Sequence, residues 1–455
     1  MNYLVSLRPH EWSATGQDIR KPRLVARVIT RKDTVKWIIR YTFYAFIFSL
    51  AFEDAYTDIG ASVPKLLGLL LGLVSLLQPR LCFQRPPKAF AWFGAYVLVV
   101  AFSGGYMVWT PPNIPEFTGA FIGTLQRLVQ LLILFWISYN LLQHDRLVNG
   151  TLWALAGSTI FLSVLQLAGL TNTVSDAGRV SAFQENPNGL ATMLSLGVLA
   201  LLGLAYGRQI QDWKARILFW GVGGVMGLNI LKTGSRGAAL ALAVTVLLFF
   251  LKGKNWAGKL KFGGVALVGI LLLAWFSYRI DAVRVRWERT FYEESLAGRE
   301  YIFPEAIAMI LEQPLIGWGP VNHLWELGPR THREFRDEHN LYLWVLAEVG
   351  LVGATPFFVG LWLCWRSAWR GRHTHSGIVP LLMLLFMLVS GMKGTLHNEK
   401  FFWVILALGL ASGSAAAHEV LVRGRSIPDV ALTGISRRAG RPVFSHASSV
   451  SVPHP

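Results

Sequence analysis

The sequence predicts an all-α integral membrane protein, with about 12 transmembrane helices and one long outer loop containing an amphipathic helix. Three observations predict it. The 455 residues are 53% hydrophobic and only 15% charged, with mean hydropathy +0.43, whereas a soluble domain carries about a quarter charged residues. Apolar runs of spanning length, about 20 residues, recur from Trp37 to about Ala417. Lysine and arginine concentrate in alternate loops, as the positive-inside rule requires.

Residues 1–35 read as a basic cytoplasmic arm, too long and polar for the start of a signal peptide. Residues 36–418 form the polytopic membrane domain, with spans beginning near Trp37, Pro64, Ala89, Gly119, Val148, Gly189, Ile217, Gly237, Phe262, Leu341, Ile378 and Phe401. Gly223 and Gly227 suit close helix packing in lipid. Residues 419–455 are basic and low in complexity, which predicts a disordered cytoplasmic tail. The even number of spans returns both termini to the cytoplasm. The net charge of +17 then points to anionic lipid headgroups rather than nucleic acid. Cys82 and Cys364 both fall on the predicted cytoplasmic side, so no disulfide framework is expected.

Loops on the cytoplasmic side are basic, among them QPRLCFQRPPK and LKGKNWAGKLK. The first outer loops, EDAYTDIGAS and TPPNIPEFTG, carry no lysine or arginine. Three later outer loops break the pattern: DAGRVSAFQENPN with Arg179, LKTGSRGA with Lys232 and Arg236, and MKGTLHNEK with Lys393, His397 and Lys400. A cation at the outer edge of an apolar bundle is costly and usually meets an anion. The long outer loop, residues 279–339, contains REYIFPEAIAMILEQP. Phe303, Ile307, Ile310 and Leu311 share one face, which predicts a helix lying in the membrane interface. Pro304 is placed in its first turn, and QPLIGWGP closes it through Pro314, Gly317 and Gly319.

The ordered set AGRE around Arg299, QPLIGWG, and EHNLYLWVLAEVGLVGA, preceded by GRVSAFQENPNGLA and TGSRGAALAL, resembles the O-antigen ligase and polymerase superfamily. The resemblance covers roughly the second half of the chain. It implies a GT-C-like membrane glycosyltransferase in the inner membrane of a Gram-negative bacterium, with the long loop in the periplasm. Such enzymes move a glycan from undecaprenyl pyrophosphate to an acceptor hydroxyl at the periplasmic face. Ligases use lipid A–core as acceptor; polymerases use a lipid-linked repeat of the nascent polysaccharide. The family is regarded as inverting and metal-independent, needing no cofactor beyond the lipid-linked donor. Its matching arginines here are Arg179, Arg236 and Arg299, and its loop histidine is His339.

Each residue also has a structural reading. Arg236 follows a TGS turn at a helix start, where amide donors and a guanidinium together suit a phosphate; the structural reading, the less favoured of the two, is an arginine that snorkels to the interface. Lys232 stands beside it. Arg299 either meets the pyrophosphate, whose charge grows as the glycosidic bond breaks, or pairs with Glu300. The other loop arginines, Arg284, Arg286, Arg289, Arg330 and Arg333, read as surface charges. Asn186 and Asn188 bind sugar or cap a helix. His339 is a general base, a phosphate-steadying cation, or an interfacial histidine beside a helix-capping Asn340. Asp337 or Glu338 would orient its ring. Glu348, inside the apolar run, must be paired or neutral. Lys393 and His397 extend the anion site if geometry allows. Glu53, Asp54 and Asp58 lack metal-ligand spacing, so no metal site is expected. The rival class is a polysaccharide transporter or lipid flippase, which should show internal repeats and interrupted helices; the sequence shows no repeat between its halves.

Overall fold

The computed structural model describes residues 37–53, 62–84, 86–109, 115–174, 179–183, 186–206, 212–250, 298–373 and 377–425, with scattered positions between 263 and 292. Helices stand at every predicted span start except that near Phe262, which lies largely outside the described residues. They are α1 (Trp37–Ser49), α2 (Val63–Leu76), the short α3 (Pro79–Cys82), α4 (Lys88–Trp109), α5 (Pro115–Leu141), α6 (Asp145–Leu167), α7 (Pro187–Tyr206), α8 (Trp213–Lys232) and α9 (Arg236–Phe250). The loop helices α10 (Arg299–Glu312) and α11 (Asn322–Arg330) follow, then α12 (Leu341–Gly371), α13 (Val379–Ser390) and α14 (Lys400–Arg425). Among the described residues, five helices are long and apolar enough to cross a membrane: α4, α5, α6, α7 and α12. The chain is a multi-pass membrane protein. The backbone of α14 runs past residue 418 into the predicted tail, since its alanine-rich sequence continues without a breaker. The arm at residues 1–35 and the tail beyond residue 425 lie outside the described residues.

Helix α12 is the centre of the bundle and packs against α4, α14 and α13. Phe93, Phe135, Phe357 and Trp403 form the core there, with Phe93 and Trp403 ring centroids 5.1 Å apart. Gly360 lets Phe93 lie on the α12 backbone: an added Cβ would stand 2.5 Å from the ring. Contacts of this kind supply packing that lipid cannot match. Gly223 and Gly227 do not play this part among the described residues, contrary to expectation, because a Cβ added to either would meet nothing within 4 Å. Their neighbour Gly221 opens onto an apolar cleft of about 470 Å³ between α6 and α8. Cys82 and Cys364 are buried free thiols.

Helix α12 is broken near its start. Gly350 adopts φ 57°, ψ −164°, a conformation that favours glycine. The turn after α10 fills the break. Trp318 and Gly319 amides donate to the carbonyls of Ala347 and Glu348, and the Leu351 and Val352 amides donate to Pro314 and Leu315, all at 2.8–3.0 Å. The approach is so close that a Cβ on Gly317 would meet the Gly350 nitrogen at 2.6 Å. QPLIGWG and AEVGLVG are therefore two halves of one joint.

The loop helix differs in detail from its expected form. Its inward face is Ile302, Ala306 and Met309, while Ile307 and Leu311 are exposed. Pro304 stands in the second turn, where it removes the bond to the Glu300 carbonyl. Arg330 is more than a surface charge: it reaches Glu312 of α10 and Glu326 of α11, both at 2.6 Å. Arg284 pairs with Glu288, whereas Arg286 and Arg289 lie outside the described residues.

A two-stranded antiparallel sheet, β1 (Asn172–Val174) and β2 (Val180–Ala182), is an addition to the predicted all-α fold. Pairing Val174 with Val180 fixes Arg179 at the edge of the ladder.

Candidate active site

Five chain segments meet at one end of the bundle. Arg179, before β2, donates from Nε to the Thr233 carbonyl at 2.9 Å and from Nη2 to Asn188 Oδ1 at 3.0 Å. Thr233 begins the tight turn between α8 and α9, where Gly234 takes φ 63°. Arg236 then opens α9. Asn186 is the cap of α7, accepting from the Asn188 amide at 2.9 Å, which leaves the Asn188 side chain for Arg179.

Lys393 crosses the start of α9, so close that a Cβ on Gly237 would stand 2.6 Å from its Cδ. Its Nζ donates to the Thr192 hydroxyl at 3.0 Å. Arg299 donates from Nη2 to the Lys393 carbonyl at 3.0 Å. Arg236 is in electrostatic reach of Arg299 and Glu300, and Lys393 of Arg299 and Arg179. Burial pulls the Arg299 pKa down, against the opposing pull of Asp337 and Glu300. Concentrated positive charge of this kind is a good seat for a polyanion.

The loop 336–340 closes the site. Asp337 accepts from the His339 amide and, at 3.0 Å, from the Thr395 hydroxyl. His339 sits at φ 50°, uncommon for a residue with a side chain. Its Nδ1 lies 3.7 Å from Asp337 Oδ1. Burial lowers the imidazole pKa, Asp337 raises it, and Arg299 and Arg336 lower it. The net shift favours the neutral ring. Asn340 caps α12, accepting from the amides of Tyr342 and Leu343 at 2.9 and 3.3 Å.

Residues 221–358 match the family model described as O-antigen ligase. This match supports membership of the O-antigen ligase and polymerase superfamily. No curated protein matches the chain. The ligase-family segment holds Arg236, Arg299 and His339, while Arg179 and Lys393 reach the same place from outside it.

Other expected members of this candidate site take no part in the bonds described above. Lys232 is exposed at the end of α8 and takes no part in the bonds above. Glu338 makes no direct hydrogen bond to His339; it turns inward and is fully buried, because the left-handed turn at His339 sends neighbouring side chains apart. His397 is likewise fully buried, its carbonyl accepting from Trp403. Lys400 pairs with Glu53, and Asp54 and Asp58 lie outside the described residues. Glu348 is buried and accepts from the Tyr96 hydroxyl at 2.9 Å, a structural pair.

Sequence reasoning assigned no role to Arg336. Its Nη2 lies 3.1 Å from the Cβ position of Gly298, and its charge acts on His339. The adjacency to Asp337 was its only signal. Thr192 and Thr395 gave none, since a hydroxyl in an apolar run is commonplace.

Proposed function

We propose that this chain is a glycosyltransferase of the O-antigen ligase type. It moves a glycan from undecaprenyl pyrophosphate onto a lipid A–core hydroxyl at the periplasmic face of the inner membrane. Family membership supports ligase- or polymerase-like transfer. The observation that carries the site assignment is the linked set Arg179–Thr233, Lys393–Thr192 and Arg299–Lys393 beside His339.

Neutral His339 takes the proton from the acceptor hydroxyl. The oxygen attacks the anomeric carbon opposite the carrier and inverts it. The bond from that carbon to the phosphate oxygen breaks, and its electron pair leaves with undecaprenyl pyrophosphate. Arg179, Arg236, Arg299 and Lys393 stabilise the charge that develops there. A pyrophosphate is a good leaving group and needs no protonation, so the reaction runs without a metal or other cofactor. Asp337 and Thr395 hold the loop, and Asn340 fixes the start of α12.

The interrupted α12 does not favour transport. Its freed backbone groups are occupied by the turn after α10, whereas a transporter uses such groups to line a cavity.

The test is transfer in a reconstituted membrane, with lipid A–core and a lipid-linked repeat offered separately. Glycan joined to lipid A–core with undecaprenyl pyrophosphate released supports the ligase. Product only on the lipid-linked repeat makes the chain a polymerase. Movement of intact donor across the membrane without bond formation overturns both.

A further inference from the structure

Behind the loop that carries His339 lies a buried polar cluster the transfer chemistry leaves unused. Neither carboxyl oxygen of Glu338 bonds to another residue among those described. His323, in the first turn of α11, faces it with Nε2 3.8 Å from Oε1. The other ring nitrogen, Nδ1, stands 3.0 Å from the Gly319 carbonyl. A carbonyl only accepts, so Nδ1 carries the proton and Nε2 offers a lone pair toward Glu338. Trp344 lies between two imidazoles, with centroids 4.6 Å from His323 and 5.1 Å from His397. His397 is also fully buried, and neither of its nitrogens bonds to a described residue.

Buried polar atoms are satisfied by protein or by ordered water. The 3.8 Å gap is too long for a direct bond and short enough for one water to bridge. Among the described residues, no cation acts on Glu338 to balance its ionised form. Burial pushes the His323 pKa down to about 4 and that of His397 down to about 3, leaving both neutral. Asp337 and Glu348 present further acid groups, and Tyr96 is committed to Glu348. Arg127 acts on His397 from α5.

We propose that Glu338 is a positioning residue, a neutral carboxylic acid seated with ordered water against His323, which pins the loop and so holds the His339 ring toward Asp337. The seat is a property of the folded chain; its effect on transfer rests on the function proposed above.

Burial raises the Glu338 pKa, and Asp337 and Glu348 raise it further. The unfolded chain then loses this proton at lower pH than the folded one. Stability from Glu338 is full below the ordinary glutamate range and declines as pH rises until Glu338 ionises. Purified protein in nanodiscs tests the seat without substrate. Infrared spectra of wild type at neutral pH should show the carbonyl stretch of a protonated carboxylic acid, moved by deuteration and lost in Glu338→Gln. Glu338→Gln should melt near wild type and lose part of the alkaline decline; Glu338→Ala should melt lower. In the transfer assay, Glu338→Ala should cut kcat tenfold or more and move its acid limb, and Glu338→Gln should restore both. An ionised Glu338 in the wild-type spectrum, or a Glu338→Gln as unstable as Glu338→Ala, overturns the proposal. Both readouts stand even if the chain transfers no glycan.

Discussion

Arg299 and Lys393 stand 94 positions apart, and the guanidinium of the first donates to the backbone carbonyl of the second at 3.0 Å. The bond ties the start of α10 to the turn after α13 and sets two basic side chains side by side. Arg299→Ala should lower the rate of transfer by about a hundredfold to a thousandfold, the usual loss when one fixed transition-state donor is removed. Arg299→Lys restores charge but not the planar fork, so it should recover only part of the rate. Release of undecaprenyl pyrophosphate at normal protein level is the measurement; an unchanged rate in Arg299→Ala removes it from the site.

The pH profile should report His339. A general base must be neutral, and its pKa is lowered, so activity should be full at neutral pH and fall only on acidification. Arg336→Gln removes a cation that lowers this pKa, and should move the acid limb to higher pH. Asp337→Asn removes the anion that raises it, and should move the limb the other way. Activity that is lost on the alkaline rather than the acid side of this pKa would show that His339 works protonated.

Gly350→Ala should destabilise the protein severely. The backbone has φ 57°, and the new Cβ would lie 2.4 Å from the Leu315 carbonyl carbon. Strain from such a conformation alone costs on the order of 1–3 kcal/mol, and the clash adds to it. Gly223→Ala meets open space and should leave stability unchanged or slightly improved. Thermal unfolding of both variants in detergent separates a structural glycine from a merely helical one.

On the function proposed above, chelation should leave transfer intact, because the clustered basic side chains would neutralise the pyrophosphate. Loss of activity in EDTA, restored by a divalent ion, would require a metal route instead.

The helices were legible because apolar runs of spanning length announce themselves, and Arg179 and Arg236 stood out by lying where the charge rule forbids them, whereas Arg299 rested on the family resemblance. The break at Gly350 was not legible, since the apolar run continues through it and glycine is common in membrane helices. Gly223 and Gly227 misled for a related reason: close packing needs a partner, and sequence spacing does not name one. Within the charged run Arg336 to His339, composition predicts one solvated loop end. The fold instead turns Asp337 toward Thr395, Glu338 into the interior and His339 toward the arginines.

The joint at Gly350 also limits how substrate can arrive. Swinging α10 away from α12 would strip the carbonyls of Ala347 and Glu348 and the amides of Leu351 and Val352 of their partners. In hydrocarbon each bare group costs several kcal/mol. The turn after α10 is thus a strut rather than a flap, and the lipid-linked donor proposed above would have to enter past elements the strut does not brace.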